Sequence, residues 1–138
     1  MQYHLGRLID HVHLRVADVE RSKAFYRAVF TALGRPEVLV EGAGHFFADE
    51  LFVDQATDYV TRVHLAFQAA DRAAVQAFHR AALAAGGRDH GAPGERSYHP
   101  GYYGAFVLDP DGNNIEAVFH GPSERSAASI AVTPRDAP

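Results

Sequence analysis

Three side chains of types that bind divalent metal ions, two imidazoles and one carboxylate, lie in predicted strands of this sequence. His11 and His64 lie 53 residues apart, and Glu116 interrupts an apolar segment further along the chain. The chain has nine His and no Cys, so a metal site here has to use nitrogen and oxygen ligands. Two imidazoles and one carboxylate, with other coordination positions open, are a recognised ligand set for a catalytic divalent metal.

An internal repeat relates the two imidazoles. With His11 aligned on His64, further residues coincide, notably the pairs Asp18 and Asp71, Phe25 and Phe78, and Gly34 and Gly87. Each copy follows the pattern strand, helix, then short strands, which predicts an α+β fold of two tandem βαβββ modules over 8–60 and 61–120. We expect their curved mixed sheets to pair and leave a cleft. A pseudo-twofold axis between the modules would then bring His11 and His64 face to face.

The strands determine which way these candidates point. Over 9–16, apolar residues alternate with His11, His13 and Arg15, which predicts a strand with one face under a helix and one polar face. Over 114–119 the same alternation puts Glu116 on the face away from the helix, where an unpaired carboxylate in a dry interior is costly and needs a cation. The other strands are predicted over 36–40, 44–48, 51–54, 88–91 and 105–108.

Both helices have clear boundary signals. Asp18 and Asp71 stand where N-cap residues are expected. The first helix is predicted over 19–33 with Gly34 as its stop, and the second ends at the Gly86–Gly87 pair. The segment 109–112, Asp-Pro-Asp-Gly, is typical of a type I turn and joins the last two strands as a hairpin.

Other polar residues are candidates for substrate binding. His11 and His13 form a rival donor pair, but Ala66 stands at the position equivalent to His13, which favours His13 and Arg15 as cavity residues. His45 either points inward or caps a loop. Four other imidazoles are interpreted as surface residues, namely His4, His79, His90 and His120.

A long loop is predicted over 91–103. Arg96 is a candidate to hold an anionic group, and His99 and Tyr102 are candidates to contact substrate. Tyr103 and His13 are the candidate bases for proton transfer. The alternative for both Tyr side chains is packing at the sheet edge.

Composition excludes several classes of function. With 13 basic and 17 acidic residues the net charge is −4, and a nucleic-acid-binding protein needs a basic face. No apolar run approaches a membrane span and no signal segment is visible, so a cytoplasmic protein is expected. The tail, 121–138, is rich in Ser, Ala and Pro and is expected to be mobile or draped over the surface.

Three segments resemble the vicinal oxygen chelate superfamily, which includes glyoxalase I, bleomycin-resistance proteins, fosfomycin-resistance enzymes and extradiol dioxygenases. They are DHVHLRVADVERSKAFYRAVF from Asp10, VHLAFQAADRAAVQAFHRAALAAGG from Val63 and YYGAFVLDPDGNNIEAVFH from Tyr102. The resemblance implies one glyoxalase-like domain over 1–120 and a metal on His11, His64 and Glu116.

The resemblance also implies a function and an assembly. It implies an enzyme that chelates adjacent oxygens of a small substrate on a divalent Zn, Fe, Mn, Ni or Co ion, with Glu116 also in a catalytic role. A homodimer is expected, with the sheets paired within one chain or exchanged between two. Some glyoxalase-type members have a fourth ligand at the end of the first module, where Glu50, Val53 or Asp54 would stand. The alternative function is a metal-free binding protein of the bleomycin-resistance type.

Overall fold

The computed structural model describes residues 2–136 and has two four-stranded sheets and two α-helices. In chain order the elements are β1 (Val12–Val16), α1 (Val19–Ala32), a short 3-10 helix (Pro36–Val38), β2 (Leu39–Gly42), β3 (His45–Ala48), β4 (Leu51–Gln55), β5 (His64–Gln68), α2 (Arg72–Ala84), β6 (Arg88–Glu95), β7 (Tyr103–Leu108) and β8 (Asn114–Phe119). Over the residues described, no helix combines the length and the apolar character that a membrane span requires.

The two sheets have the same topology, which confirms the prediction of two tandem modules in an α+β fold. Sheet 1 has the order β1-β4-β3-β2, and sheet 2 has the order β5-β8-β7-β6. In each sheet the first strand pairs in parallel with the last, and the other neighbours are antiparallel. The first strand of each module therefore lies at a sheet edge and pairs with a single strand of its sheet.

The predicted helix boundaries are confirmed. The Asp18 carboxylate accepts hydrogen bonds from the backbone N–H groups of Glu20 and Arg21, and Asp71 accepts one from Ala74. Gly34 follows α1 with φ of 78°, a left-handed conformation that Gly adopts at little cost.

One core joins the two modules. The apolar sides of β1 and β4, including Leu14 and Val53, are fully buried in the same cluster that contains Phe78 and Ile115 of the second module. The open face of each sheet is the face opposite this core. Contact between α1 and α2 and a packing of Phe30 on Phe67, with ring centroids 5.2 Å apart, hold the modules together.

A buried hydrogen bond also crosses between the modules. The Tyr26 hydroxyl of α1 donates to the Asp109 carboxylate over 2.6 Å. Asp109 lies in the β7–β8 turn and also accepts from the side chain and backbone of Asn113. The backbone N–H of Gly112 donates to the Asp109 carbonyl over 3.0 Å, as the predicted turn requires.

The predicted loop over 91–103 is shorter in the structure. Strand β6 continues to Glu95, with register shifts between Asp89 and Gly91 and between Gly91 and Gly94. Gly residues are typical of such bulges. Pro93 has no backbone N–H group, but β6 is an edge strand, so Pro93 removes no hydrogen bond from the sheet interior. Likewise, the first part of the predicted strand 36–40 is a 3-10 helix that starts at Pro36.

The C-terminal tail, as far as the structure describes it, has no helix or strand from 121 to 136 and is mostly exposed. Two contacts tie it to the domain. Arg125 donates a hydrogen bond to Gln68. Ile130 packs on Gly6, where a Cβ atom added to the glycine would be 3.0 Å from Cδ1 of Ile130. The described part of the tail thus contacts the domain at these two places, and its flexibility stays a prediction.

Candidate metal and substrate site

The structure brings two of the three predicted metal ligands together on the open face of sheet 2. Strands β5 and β8 are neighbours, and their register sets Ala66 beside Glu116, so His64 lies two residues away on the same face. The Nε2 atom of His64 is 2.9 Å from Oε1 of Glu116. Glu116 is only 1% exposed, whereas the His64 side chain is 52% exposed. The pair thus combines a buried carboxylate with a partly exposed imidazole.

Tyr102 completes the surroundings of the carboxylate. Its hydroxyl donates a hydrogen bond to Oε2 of Glu116. Burial, and then the hydrogen bond to Glu116, raise the pKa of the Tyr102 hydroxyl well above its ordinary value, so the hydroxyl keeps its proton near neutral pH. Gly104 leaves the space for this arrangement, because a Cβ there would be 3.0 Å from Oε2 of Glu116. Oε1 therefore faces His64, while Oε2 is held by Tyr102.

The donor set fits a divalent ion at this position. A buried carboxylate needs a compensating positive charge, and an imidazole nitrogen with a carboxylate oxygen suits Zn, Fe, Mn, Ni or Co. The Oδ1 atom of Asn114, on the same strand two residues before Glu116, is buried and has no hydrogen-bond partner among the residues described.

The third predicted ligand lies apart. Residue His11 immediately precedes β1, is exposed, and its Nδ1 atom is 2.6 Å from Oδ1 of Asp10. Between residues 2 and 136, no three His, Asp or Glu side chains converge as a metal site would require. One chain therefore supplies the His64–Glu116 pair without His11.

The position equivalent to Glu116 in the first module is Phe52. The β1–β4 register pairs Phe52 with His13, just as the β5–β8 register pairs Glu116 with Ala66. Val53, one of the predicted equivalents, is instead fully buried in the core. A phenyl ring has no lone pair to offer a metal, so this position carries no fourth ligand.

The residues predicted to bind substrate fall into two groups, and the first lies on the open face of sheet 1. Nε2 of His13 is 2.8 Å from Oδ1 of Asp54, and its ring packs on Phe52 with centroids 5.0 Å apart. Nη1 of Arg15 donates to Asp58 over 2.9 Å. His45, left open by the sequence, also packs on Phe52, with centroids 5.6 Å apart.

The second group lies on the sheet 2 side, near Glu116. The His99 and His120 rings stack with centroids 5.1 Å apart, and Nε2 of His99 is 2.8 Å from Nδ1 of His120. Both rings make edge contacts with Tyr102. His120, interpreted as an incidental surface residue, is thus part of an aromatic cluster beside the carboxylate. Arg96 also belongs to this side.

Two expectations need correction. Tyr103, a candidate base, is 7% exposed on the helix side of sheet 2, where its hydroxyl accepts a hydrogen bond from Gln76 of α2. Its neighbour Tyr102 is the one that contacts Glu116, because successive residues of a strand point to opposite faces. His79 is not a surface residue, since its side chain is 13% exposed and pairs with Asp89.

The fold and the ligand pair together define a class: two-module βαβββ proteins with a nitrogen–oxygen donor pair on an open sheet face. A model of the Glyoxalase/Bleomycin resistance protein/Dioxygenase superfamily matches residues 8–117. The chain belongs to this superfamily, as its sequence motifs predict. No curated protein matches the sequence.

Solved structures agree with this assignment. A glyoxalase/bleomycin resistance protein from Albidiferax ferrireducens T118 is 30% identical, with a TM-score of 0.69 over 81% of this chain and 98% of that one. A lactoylglutathione lyase from Agrobacterium tumefaciens is 21% identical, with a TM-score of 0.59 over 82% of this chain and 93% of that one. The oxidase ChaP-H2 is 19% identical, with the same TM-score over 83% of this chain and 94% of that one. The last two show likeness of fold alone.

Proposed function

We propose that this protein is a metal-dependent enzyme of the glyoxalase and dioxygenase type. Its substrate would be a small molecule that presents two adjacent oxygens to a divalent ion bound by His64 and Glu116. The observation that carries the proposal is the pairing of a buried carboxylate with a half-exposed imidazole, 2.9 Å apart, on an open sheet face. The exposed edge of the imidazole leaves the pair accessible to an ion and a small molecule from solvent.

We further propose that His11 of a second chain completes the ligand set, so that the enzyme is a homodimer with a shared site. His64 starts β5 and His11 directly precedes β1, and both strands are sheet edges. Edge strands carry unpaired backbone groups and can lie beside another chain. A twofold dimer would set β1 of one chain near β5 of the other at two equivalent places.

When bound, the ion would supply a Lewis acid that stabilises negative charge on the substrate oxygens. The residues of this chain contribute orientation. Tyr102 holds Oε2 of Glu116 and leaves Oε1 free to face the ligand position. Phe52, in place of a fourth ligand, keeps the set at two imidazoles and one carboxylate and leaves positions for two substrate oxygens.

The candidates for proton transfer lie on the open faces of the two sheets, and in the proposed dimer those of sheet 1 come to the site with His11 of the second chain. Tyr102 keeps its proton near neutral pH and serves as a hydrogen-bond donor. On sheet 1, Asp54 is hydrogen-bonded to Nε2 of His13, which fixes the orientation of the ring. His13 is therefore the candidate base that remains once Tyr103 is excluded by its position under α2.

Metal content tests the proposal. Protein purified without chelator should carry a stoichiometric divalent metal, measured by elemental analysis, and His64→Ala should lose it. The matched control is His90→Ala, which removes an exposed imidazole from β6. A metal-free wild type that also fails to take up Zn, Mn, Fe, Ni or Co would contradict the proposal and favour the metal-free binding protein.

A further inference from the structure

A positively charged group lies beside the His64–Glu116 pair on the same open face. The Cζ atom of Arg96 is 5.4 Å from the centroid of the Phe106 ring, and the His64 ring is 5.8 Å from the same centroid. Phe106 stands opposite Glu116 in the β7–β8 register. The guanidinium and the imidazole therefore both pack on the same phenyl ring.

The backbone of β6 holds the guanidinium in place. Nη2 of Arg96 donates to the carbonyl of Ala92 over 2.8 Å, and Nη1 donates to the carbonyl of Glu95 over 3.2 Å. Two glycines leave the room that the group occupies. A Cβ at Gly91 would be 3.3 Å from Nη2, and one at Gly94 would be 3.1 Å from Nη1. The bulged, Gly-rich part of β6 therefore holds the Arg96 side chain in a fixed position.

The charge of Arg96 is not neutralised within the residues described. Arg15, Arg27 and Arg72 each have a carboxylate within ion-pair distance, but no such carboxylate lies near Arg96 across residues 2–136. Carbonyl groups accept hydrogen bonds without cancelling the charge, and a guanidinium has five N–H donors, so further donors stay free.

We propose that Arg96 binds a carboxylate of the substrate. The substrate class is then a small organic acid whose two adjacent oxygens reach the His64–Glu116 side while its carboxylate reaches Arg96 across Phe106. A single fixed guanidinium matches a planar monoanion, which it can bind through two parallel hydrogen bonds. A phosphate dianion would call for a second free cation at this place. The inference rests on the proposed function for the position of the adjacent oxygens.

Three aromatic probes separate the parts of the proposal. Catechol has adjacent oxygens only, benzoate has a carboxylate only, and 3,4-dihydroxybenzoate has both, with the carboxylate too far from the two oxygens to share their metal. Dissociation constants are measured by calorimetry on protein loaded with Zn²⁺, which has no redox chemistry. The wild type should bind 3,4-dihydroxybenzoate more tightly than catechol by about tenfold or more, since a charged hydrogen-bonded pair is added.

The variants locate the preference at Arg96. Arg96→Met should weaken binding of 3,4-dihydroxybenzoate by about 10- to 100-fold and leave catechol unchanged, and Arg96→Lys should fall between, because Lys lacks the planar fork. Arg80→Met, which removes an exposed cation from α2, is the control for net charge. Equal loss for both probes in Arg96→Met, or no loss for either, overturns the inference.

The metal-free protein distinguishes this failure from that of the proposed function. Benzoate should bind the chelator-treated wild type and not Arg96→Met, whether or not a metal site exists. Arg96→Met should also keep its Zn²⁺ affinity, since it supplies no ligand. If the protein takes up no metal but benzoate binding depends on Arg96, the proposed function fails and the carboxylate site stands. If no carboxylate probe binds, the carboxylate site is wrong.

Discussion

Replacement of Glu116 by Gln removes one charge from the candidate site and keeps the shape of the side chain. Glu116 is 1% exposed, lies 2.9 Å from His64 and accepts a hydrogen bond from Tyr102. An amide oxygen still accepts from Tyr102, and burial of an amide costs less than burial of a carboxylate. We therefore expect Glu116→Gln to fold as well as the wild type without metal and to differ only when metal is added.

The size of the difference follows from linkage. A metal present at about 100 times its dissociation constant stabilises the folded state by about 2.7 kcal/mol, which for a chain of this length raises Tm by roughly 8–12 °C. Loss of a group that merely supports a ligand lowers metal affinity about 10- to 100-fold, so loss of the ligand itself should cost at least that. After a 100-fold loss the same metal concentration contributes only about 0.4 kcal/mol, or about 1–2 °C.

Thermal unfolding with and without added Zn²⁺, Mn²⁺ or Co²⁺ after chelator treatment measures this. The wild type should show the rise in Tm and Glu116→Gln should not. Glu124→Gln, in the exposed tail, is the control for charge and should behave as the wild type does. The reasoning is refuted if Glu116→Gln keeps the full metal-dependent rise, or if its metal-free Tm falls by more than the wild type gains from metal.

Three further predictions concern stability and the site. Tyr26→Phe removes a hydrogen bond to the buried Asp109 and should lower the free energy of urea unfolding by about 1.5–3 kcal/mol. Because burial raises the pKa of Tyr26 far above 10, wild-type stability should fall as pH rises past 10, where only the unfolded state ionises, and the variant should lose less there. Gly104→Ala crowds Oε2 of Glu116 and should weaken metal binding about tenfold in a competition with chelator, with little change in metal-free Tm. Truncation after Gly121 should leave a folded protein, and a large fall in Tm or loss of solubility would contradict this.

Local patterns were sufficient for the modules and for half of the site. The capping carboxylates Asp18 and Asp71 determine where the helices begin, since they satisfy free N–H groups at those points. Strand alternation determined the faces of β1 and β8, because a strand has a period of two. The predicted strand began at residue 105, two residues later than β7. A strand that began at Tyr103 would have placed Tyr103 on the helix side together with Ala105 and Val107, by the same alternation.

Long-range features were beyond local patterns. The equivalence of Phe52 and Glu116 depends on the hydrogen-bond register of β4 against β1, which a one-residue shift reverses. The separation of His11 from His64 depends on how the modules pack through α1 and α2. The position of the Arg96 side chain depends on bulges in β6, since these bring Gly91 and Gly94 next to its guanidinium.

A heterodimer of two damaged chains tests the central claim most directly. One chain carries His11→Ala and the other Glu116→Gln, each with a different affinity tag, and the mixed dimer is isolated from co-expression by two purification steps. If the sites are shared, the mixed dimer has two different sites. One combines His11→Ala with Glu116→Gln, and the other combines an intact His11 with an intact His64 and Glu116. The account predicts about one metal ion per mixed dimer, against about two for the wild-type dimer and none for either variant alone. A mixed dimer without metal, beside a metal-loaded wild type, would contradict it.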